Sequence, residues 1–372
     1  MKKFKWLRSV AFILLLCISV TCVLDYYSLS KTFNTRFVNS FEDMPDNTVD
    51  GIVVGSSVIA HAWISAVAYE KYGMTTAQFG MSLQPFGAIK GFIDYADKNH
   101  DLKYVVIDVH SLRSQNIHTT VTPKYVQQSY LNIPDIGVRY SMLNDLLDYA
   151  DRVYDFYGYP EEGSDIEVLE RNEISLYIPF YDFHNRWVKG LKKADYVDVK
   201  NDYLGANDQT SSTFESEDVT KYVERLDFEG LVEINEFQKN ELELLFSYLE
   251  EKELEVLFIN TPSFRKTEYQ QELASILAYC EERGYNTVDF STREMLDKLE
   301  LDTKTDFSDQ GHVNLKGGQK VTEYLCEYLI DNGYFYEDRR GQDGYEYWDE
   351  GAANFREFYV KGWKKKGIKV DY

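Results

Sequence analysis

The chain is poor in residues that would staple it together or ligate a metal. It holds four cysteines, seven prolines and six histidines in 372 residues. Cys17 and Cys22 fall in an apolar N-terminal run, which leaves Cys280 and Cys326 for the remainder. That excludes a disulfide framework, and no Cys/His spacing suits a metal site. Cys280 and Cys326 sit in helix-like patterns and read as buried thiols, and no cofactor is implied. Positive charge is also scarce. The net charge is −22, or −26 once Lys2, Lys3, Lys5 and Arg8 are set aside. Such a chain lacks the basic surface that nucleic acid requires, so nucleic acid is excluded as a partner. No Ala-x-Ala cleavage site follows the apolar run, and no internal repeat is evident.

Aromatics and one long apolar run are abundant. There are 30 Tyr and 22 Phe, suited to a core and also to contact with glycans. Taken as helix, Leu7 to Leu24 would rise about 27 Å, close to the roughly 30 Å hydrocarbon core, with Lys5, Trp6 and Arg8 at its edge. A cleaved signal peptide is the alternative. The favoured expectation is a signal anchor over residues 1–30. By the positive-inside rule, the N-terminus is then cytoplasmic and the catalytic part extracellular, in a single-pass protein of the cell membrane.

Beyond it, strands and helices alternate. Thr48 to Val54, Thr76 to Phe79 and Tyr104 to Asp108 read as strands, with helices at Trp63 to Tyr72 and Ala88 to Asn99 between them. After a tyrosine-rich, irregular insertion at about 114–233, with one amphipathic stretch from Ser141 to Tyr157, the rhythm resumes. Helices are expected at Glu236 to Lys252, Glu268 to Arg283 and Gly318 to Asp331, and strands at Leu254 to Ile259 and Asn286 to Phe290. This pattern predicts an α/β fold, a three-layer α/β/α sandwich around a mainly parallel five-stranded sheet of flavodoxin-like type. It fills residues 31–335, with a C-terminal extension over 336–372.

Two stretches carry chemistry. Gly55-Ser56-Ser57 lies between the first strand and a helix, where open α/β sheets collect ligands and helix N–H groups face an oxyanion. Asp309-Gln310-Gly311-His312 precedes the last helix, and a carboxylate there can fix the imidazole tautomer and leave the other nitrogen as a base. Each has a plainer reading: an N-cap serine, and a polar turn capped by Asp309. Together, one stretch after the first strand and the other before the last helix, they suit a single edge of the sheet.

In this order the blocks resemble the SGNH/GDSL hydrolase superfamily. The resemblance implies Ser57 as nucleophile, His312 as general base and Asp309 as its orienting acid. It makes the N–H groups of Ser57 and Gly80 oxyanion donors. Two departures stand out. The third strand ends Ile107-Asp108-Val109-His110 where the family has Gly-x-Asn-Asp, and the literal match Gly205-Ala206-Asn207-Asp208 lies inside the insertion. Val58 replaces the histidine of the Gly-Ser-Ser-His form in the membrane-anchored branch that includes DltD. The anchor, Ser56, the insertion bearing His184 and Arg186, and the tail with Asp338 and Trp348 still look like that branch. Further substrate-binding candidates are His61, Asp108 and His110.

The expected function is a serine esterase or acyltransferase acting outside the membrane. Its substrates would be acetyl or D-alanyl-type esters of a cell-envelope polysaccharide or teichoic-acid-like polymer. The membrane, through the N-terminal helix, and an acyl-transfer membrane protein are the expected partners. The alternative is a non-catalytic envelope-assembly or glycan-binding protein on the same scaffold, in keeping with the missing asparagine and the acidic surface.

Overall fold

The computed structural model describes residues 2–28, 33–177, 203–205 and 214–370; in the first two helices, side chains are described for 6–20, 22–23 and from 37 onward. Its centre is a five-stranded sheet of β1 (Gly51–Ser56), β2 (Thr76–Met81), β3 (Tyr104–Asp108), β4 (Glu255–Asn260) and β5 (Asn286–Asp289). The order is β2-β1-β3-β4-β5 and every pairing is parallel. Parallel strands need crossover helices, which cover both faces, so the middles of the inner strands are apolar. β1, β2 and β3 are accordingly buried at every residue.

Alternation along the strands builds two cores. Ile52, Val54, Val105, Ile107 and Phe258 point to one face, where they meet Phe92, Leu146 and Leu242. Val53, Val106, Leu257 and Ile259 point to the other, where they meet Ile59, Val321 and Leu325. The period-2 geometry of a strand thus feeds both helical layers, and the expected three-layer α/β/α sandwich is the observed one.

The strand order reverses between β1 and β3. Open α/β sheets place ligands at the carboxyl ends of the strands at such a switch point. Ser57 follows β1 directly, and Asp108 ends β3.

The expected membrane anchor is not seen. Among the described residues no helix is long and apolar enough to cross a membrane. The first helix runs Lys2–Ser28, and within its described residues no segment combines the length and the apolarity that a crossing needs. The expected single-pass, N-terminus-inside topology is therefore corrected.

The C-terminal stretch is also more ordered than its composition suggested. Helix Glu346–Lys365 buries Trp348, Ala352, Phe355, Tyr359 and Trp363, spaced as one helical face. Trp348 Nε1 donates to Thr48 Oγ1 at 3.1 Å and Tyr69 Oη to Asp349 Oδ1 at 2.9 Å. Ahead of it, Arg339 forms a bidentate pair with Asp50, both contacts 2.9 Å. The tail is thereby tied to the start of β1. Cys280 and Cys326 are free and buried, as read.

Candidate active site

β1 extends through Ser56, and Ser57 opens a six-residue helix, Ser57–Ala62. Ser56 makes no side-chain cap to that helix, so its hydroxyl does not occupy the first-turn N–H groups. The short helix is gripped from two sides. Below, a Cβ on Gly80 would lie 2.6 Å from Ala60 N, so β2 must present a glycine for the helix to settle. Beside it, Thr322 of helix Leu315–Asp331 accepts from Ile64 N at 2.9 Å and donates to Ala62 O at 3.1 Å. One hydroxyl thus pins helix Leu315–Asp331 to the end of the serine helix.

The Asp/His stretch is a tight hairpin rather than an open loop. β6 (Phe307–Asp309) and β7 (His312–Val313) are antiparallel, with Asp309 opposite His312. Asp309 Oδ1 accepts from Gly311 N at 2.6 Å, which closes the turn. The same carboxylate receives His312 Nδ1, 3.0 Å from each oxygen. Both readings of Asp309 therefore hold: it caps the turn and orients the ring. Asn314 braces the next step, its Oδ1 accepting from Lys316 N at 3.0 Å and its Nδ2 donating to Thr305 O at 2.7 Å. Asp306, fully buried, anchors the hairpin through Lys320 Nζ at 2.7 Å and Lys316 Nζ at 3.2 Å.

The two stretches meet. Ser57 Oγ lies 2.9 Å from His312 Nε2 across 255 residues of chain. Burial raises the Asp309 pKa, but the His312 hydrogen bond and charge outweigh it and hold the carboxyl down to about 2. Asp309 is therefore an acceptor only, Nδ1 of a neutral His312 must donate to it, and Nε2 is left to accept the Ser57 proton. His61 lies on the other side, its ring centroid 4.7 Å from that of His312. Burial first, and then the His312 charge, depress His61 to about 3. It is a neutral wall to the base at ordinary pH.

The remaining candidates fall in different places. Asp108 is wholly buried and accepts from His110 N (2.9 Å), Thr261 N (3.1 Å) and Thr261 Oγ1 (2.9 Å). It ties β3 to β4 and presents nothing to solvent. His110 is 2% exposed and accepts from Arg265 Nε at 3.3 Å. Gly80 pairs with Gly55 inside the sheet, one residue before β2 ends at Met81. His184, Arg186, Asn207 and Asp208 lie outside the described residues.

Arg113 and Arg265, which approach the hairpin and His110, were not singled out from the sequence. Both lie just past the carboxyl ends of β3 and β4, where the switch-point rule directs attention, and position was the one signal that could have found them.

No protein-family profile matches the chain, and no curated protein matches it.

Proposed function

We propose that the chain is a serine-dependent ester hydrolase or acyltransferase, as its resemblance to the SGNH/GDSL superfamily suggests. The observation that carries this reading is the unbroken relay from Ser57 Oγ through His312 to Asp309, at 2.9 and 3.0 Å. Ser57 attacks an ester carbonyl as its proton passes to His312 Nε2, and Asp309 stabilises the imidazolium that results. The N–H groups of Ser57 and Gly80 are the proposed oxyanion donors. His312 then returns the proton to the departing alkoxide, leaving an acyl-Ser57 ester. Water or a sugar hydroxyl, deprotonated by His312, attacks that ester and releases Ser57. O-acetyl or D-alanyl esters of cell-envelope polysaccharide or teichoic-acid-like polymer are the proposed substrates.

Release of 4-nitrophenol from 4-nitrophenyl acetate tests the reaction class. The full chain should turn over the ester, and Ser57→Ala and His312→Ala should each abolish turnover. Equal rates in wild type and Ser57→Ala would exclude the mechanism.

A further inference from the structure

The carboxyl ends of β3 and β4 carry an unusual set of polar groups. Arg113, 6% exposed, has Nε and Nη1 buried without a hydrogen-bond partner. Buried and likewise unpartnered are Ser111 Oγ and Ser263 Oγ. An orphaned buried donor costs on the order of 1–3 kcal/mol, and more on a charged group. A folded chain does not ordinarily retain several of these together.

Arg265 links this set to the serine. Its guanidinium lies against Gly311, where an added Cβ would sit 2.6 Å from Nη2 and 2.8 Å from Cζ. Gly311 directly precedes His312. On its other side Arg265 donates to His110 Nε2 at 3.3 Å. Through His110, Arg265 reaches the turn Val109–Leu112 that Arg113 directly follows. Burial first, and then the Arg265 charge, bring Arg113 down to about 10. Two cations are therefore held close together in a chain whose net charge is −22.

The nearby acids act on them, Asp108 and Glu272 on Arg113 and Asp309 and Asp108 on Arg265, but each carboxylate is hydrogen-bonded to other donors. Asp108 is taken up by His110 N and Thr261. Glu272 receives Ser114 N, Ser114 Oγ and Gln238 Nε2. Asp309 serves His312 and Gly311. The neighbouring Arg225 is already spent on Phe264 O and Gln310 Oε1, both at 2.8 Å.

We infer that Arg113 and Arg265 form an oxyanion subsite beside Ser57, so that the ester this chain accepts carries a carboxylate or phosphate group. Guanidinium is the side chain whose planar fork of donors matches such groups. In an acidic protein, a local pair of arginines gives one anionic group a fixed place to bind. The word ester rests on the serine-hydrolase reading; the anion site does not.

The test is calorimetric titration of the full chain with inorganic phosphate and with succinate, at neutral pH. One saturable site is expected in wild type and in Ser57→Ala, weakened at least about tenfold by Arg113→Gln and by Arg265→Gln. Arg265 is partly exposed, so its variant carries the test if the buried Arg113→Gln does not fold. Bound phosphate or succinate should also slow fluorophosphonate labelling of Ser57. Absence of a saturable site in wild type, or equal affinity in both arginine variants, overturns the subsite. Anion binding without any fluorophosphonate labelling would support the subsite and remove the hydrolase reading.

Discussion

Gly318 rests on the backbone carbonyl of His61: a Cβ at 318 would lie 2.4 Å from that oxygen. The contact lets helix Leu315–Asp331 close onto the serine helix, and with it the hairpin that carries His312. The backbone carbonyl has no flexible end to move aside, so one added methyl must part the two helices. Gly318→Ala should cost roughly 1–3 kcal/mol, the usual range for overpacking. The displacement should lengthen the Ser57–His312 contact and slow ester turnover by at least about tenfold, since misplacements near 1 Å cost that much or more. Urea unfolding and steady-state rates on the same preparation check both halves.

Asp309 acts on tautomer as well as position. In Asp309→Asn an amide replaces an acceptor-only carboxylate, and its NH2 can donate to His312 Nδ1. That would place the imidazole proton on Nε2, where it blocks acceptance from Ser57. Turnover should fall by about 10³–10⁴-fold while the hairpin persists, as expected when a triad loses its acid but keeps its geometry. Single-turnover rates on an activated ester give the number.

Asp108 gives a pH dependence whose sign can be worked out. Burial lifts its pKa from the ordinary 3.8 to about 6, against the hydrogen bonds from Thr261 and His110. Between about pH 4 and 6 the folded chain holds a proton that the unfolded chain has released. Asp108 therefore makes stability fall as pH rises through that window, by up to about 3 kcal/mol. Asp309, depressed to about 2, acts oppositely and in a lower window: its contribution is present above about pH 4 and lost as pH falls toward 2. Asp108→Asn should make the slope of unfolding free energy between pH 4 and 6 more positive, leaving the falling contribution of Asp289, also lifted to about 6, and the rising ones of His61 and His100, depressed to about 3 and 4, whatever its effect on absolute stability. Urea midpoints across that range would read it.

The C-terminal helix is structural. Trp348 is fully buried and donates to Thr48 Oγ1. Trp348→Ala should destabilise by about 3–5 kcal/mol, as large-to-small changes at buried aromatics do. Lys364→Ala, on the exposed face of the same helix, should stay within about 0.5 kcal/mol. Thermal melts of the two variants distinguish a docked helix from a loose tail.

Much of the fold was legible because its strands are short, β-branched and separated by helical periods. Ile52 to Val54 and Val105 to Ile107 announce buried parallel strands by composition alone. Ser57 and His312 were legible as partners because chain order put one after the first strand and one before the last helix. The C-terminal helix was not, since charges between Trp348 and Trp363 masked a five-residue buried face. The membrane anchor was inferred from hydropathy alone, and the described helix does not bear it out. Arg113 was hidden for another reason: no local pattern marks a buried side chain left without a partner.

Mass-spectrometric mapping of a fluorophosphonate adduct tests the central claim most directly, because only an activated serine is modified at an appreciable rate. A single adduct on the peptide containing Ser57 is predicted, lost in Ser57→Ala and strongly slowed in His312→Ala. An unmodified wild-type chain, or an adduct that persists in Ser57→Ala, would contradict the account.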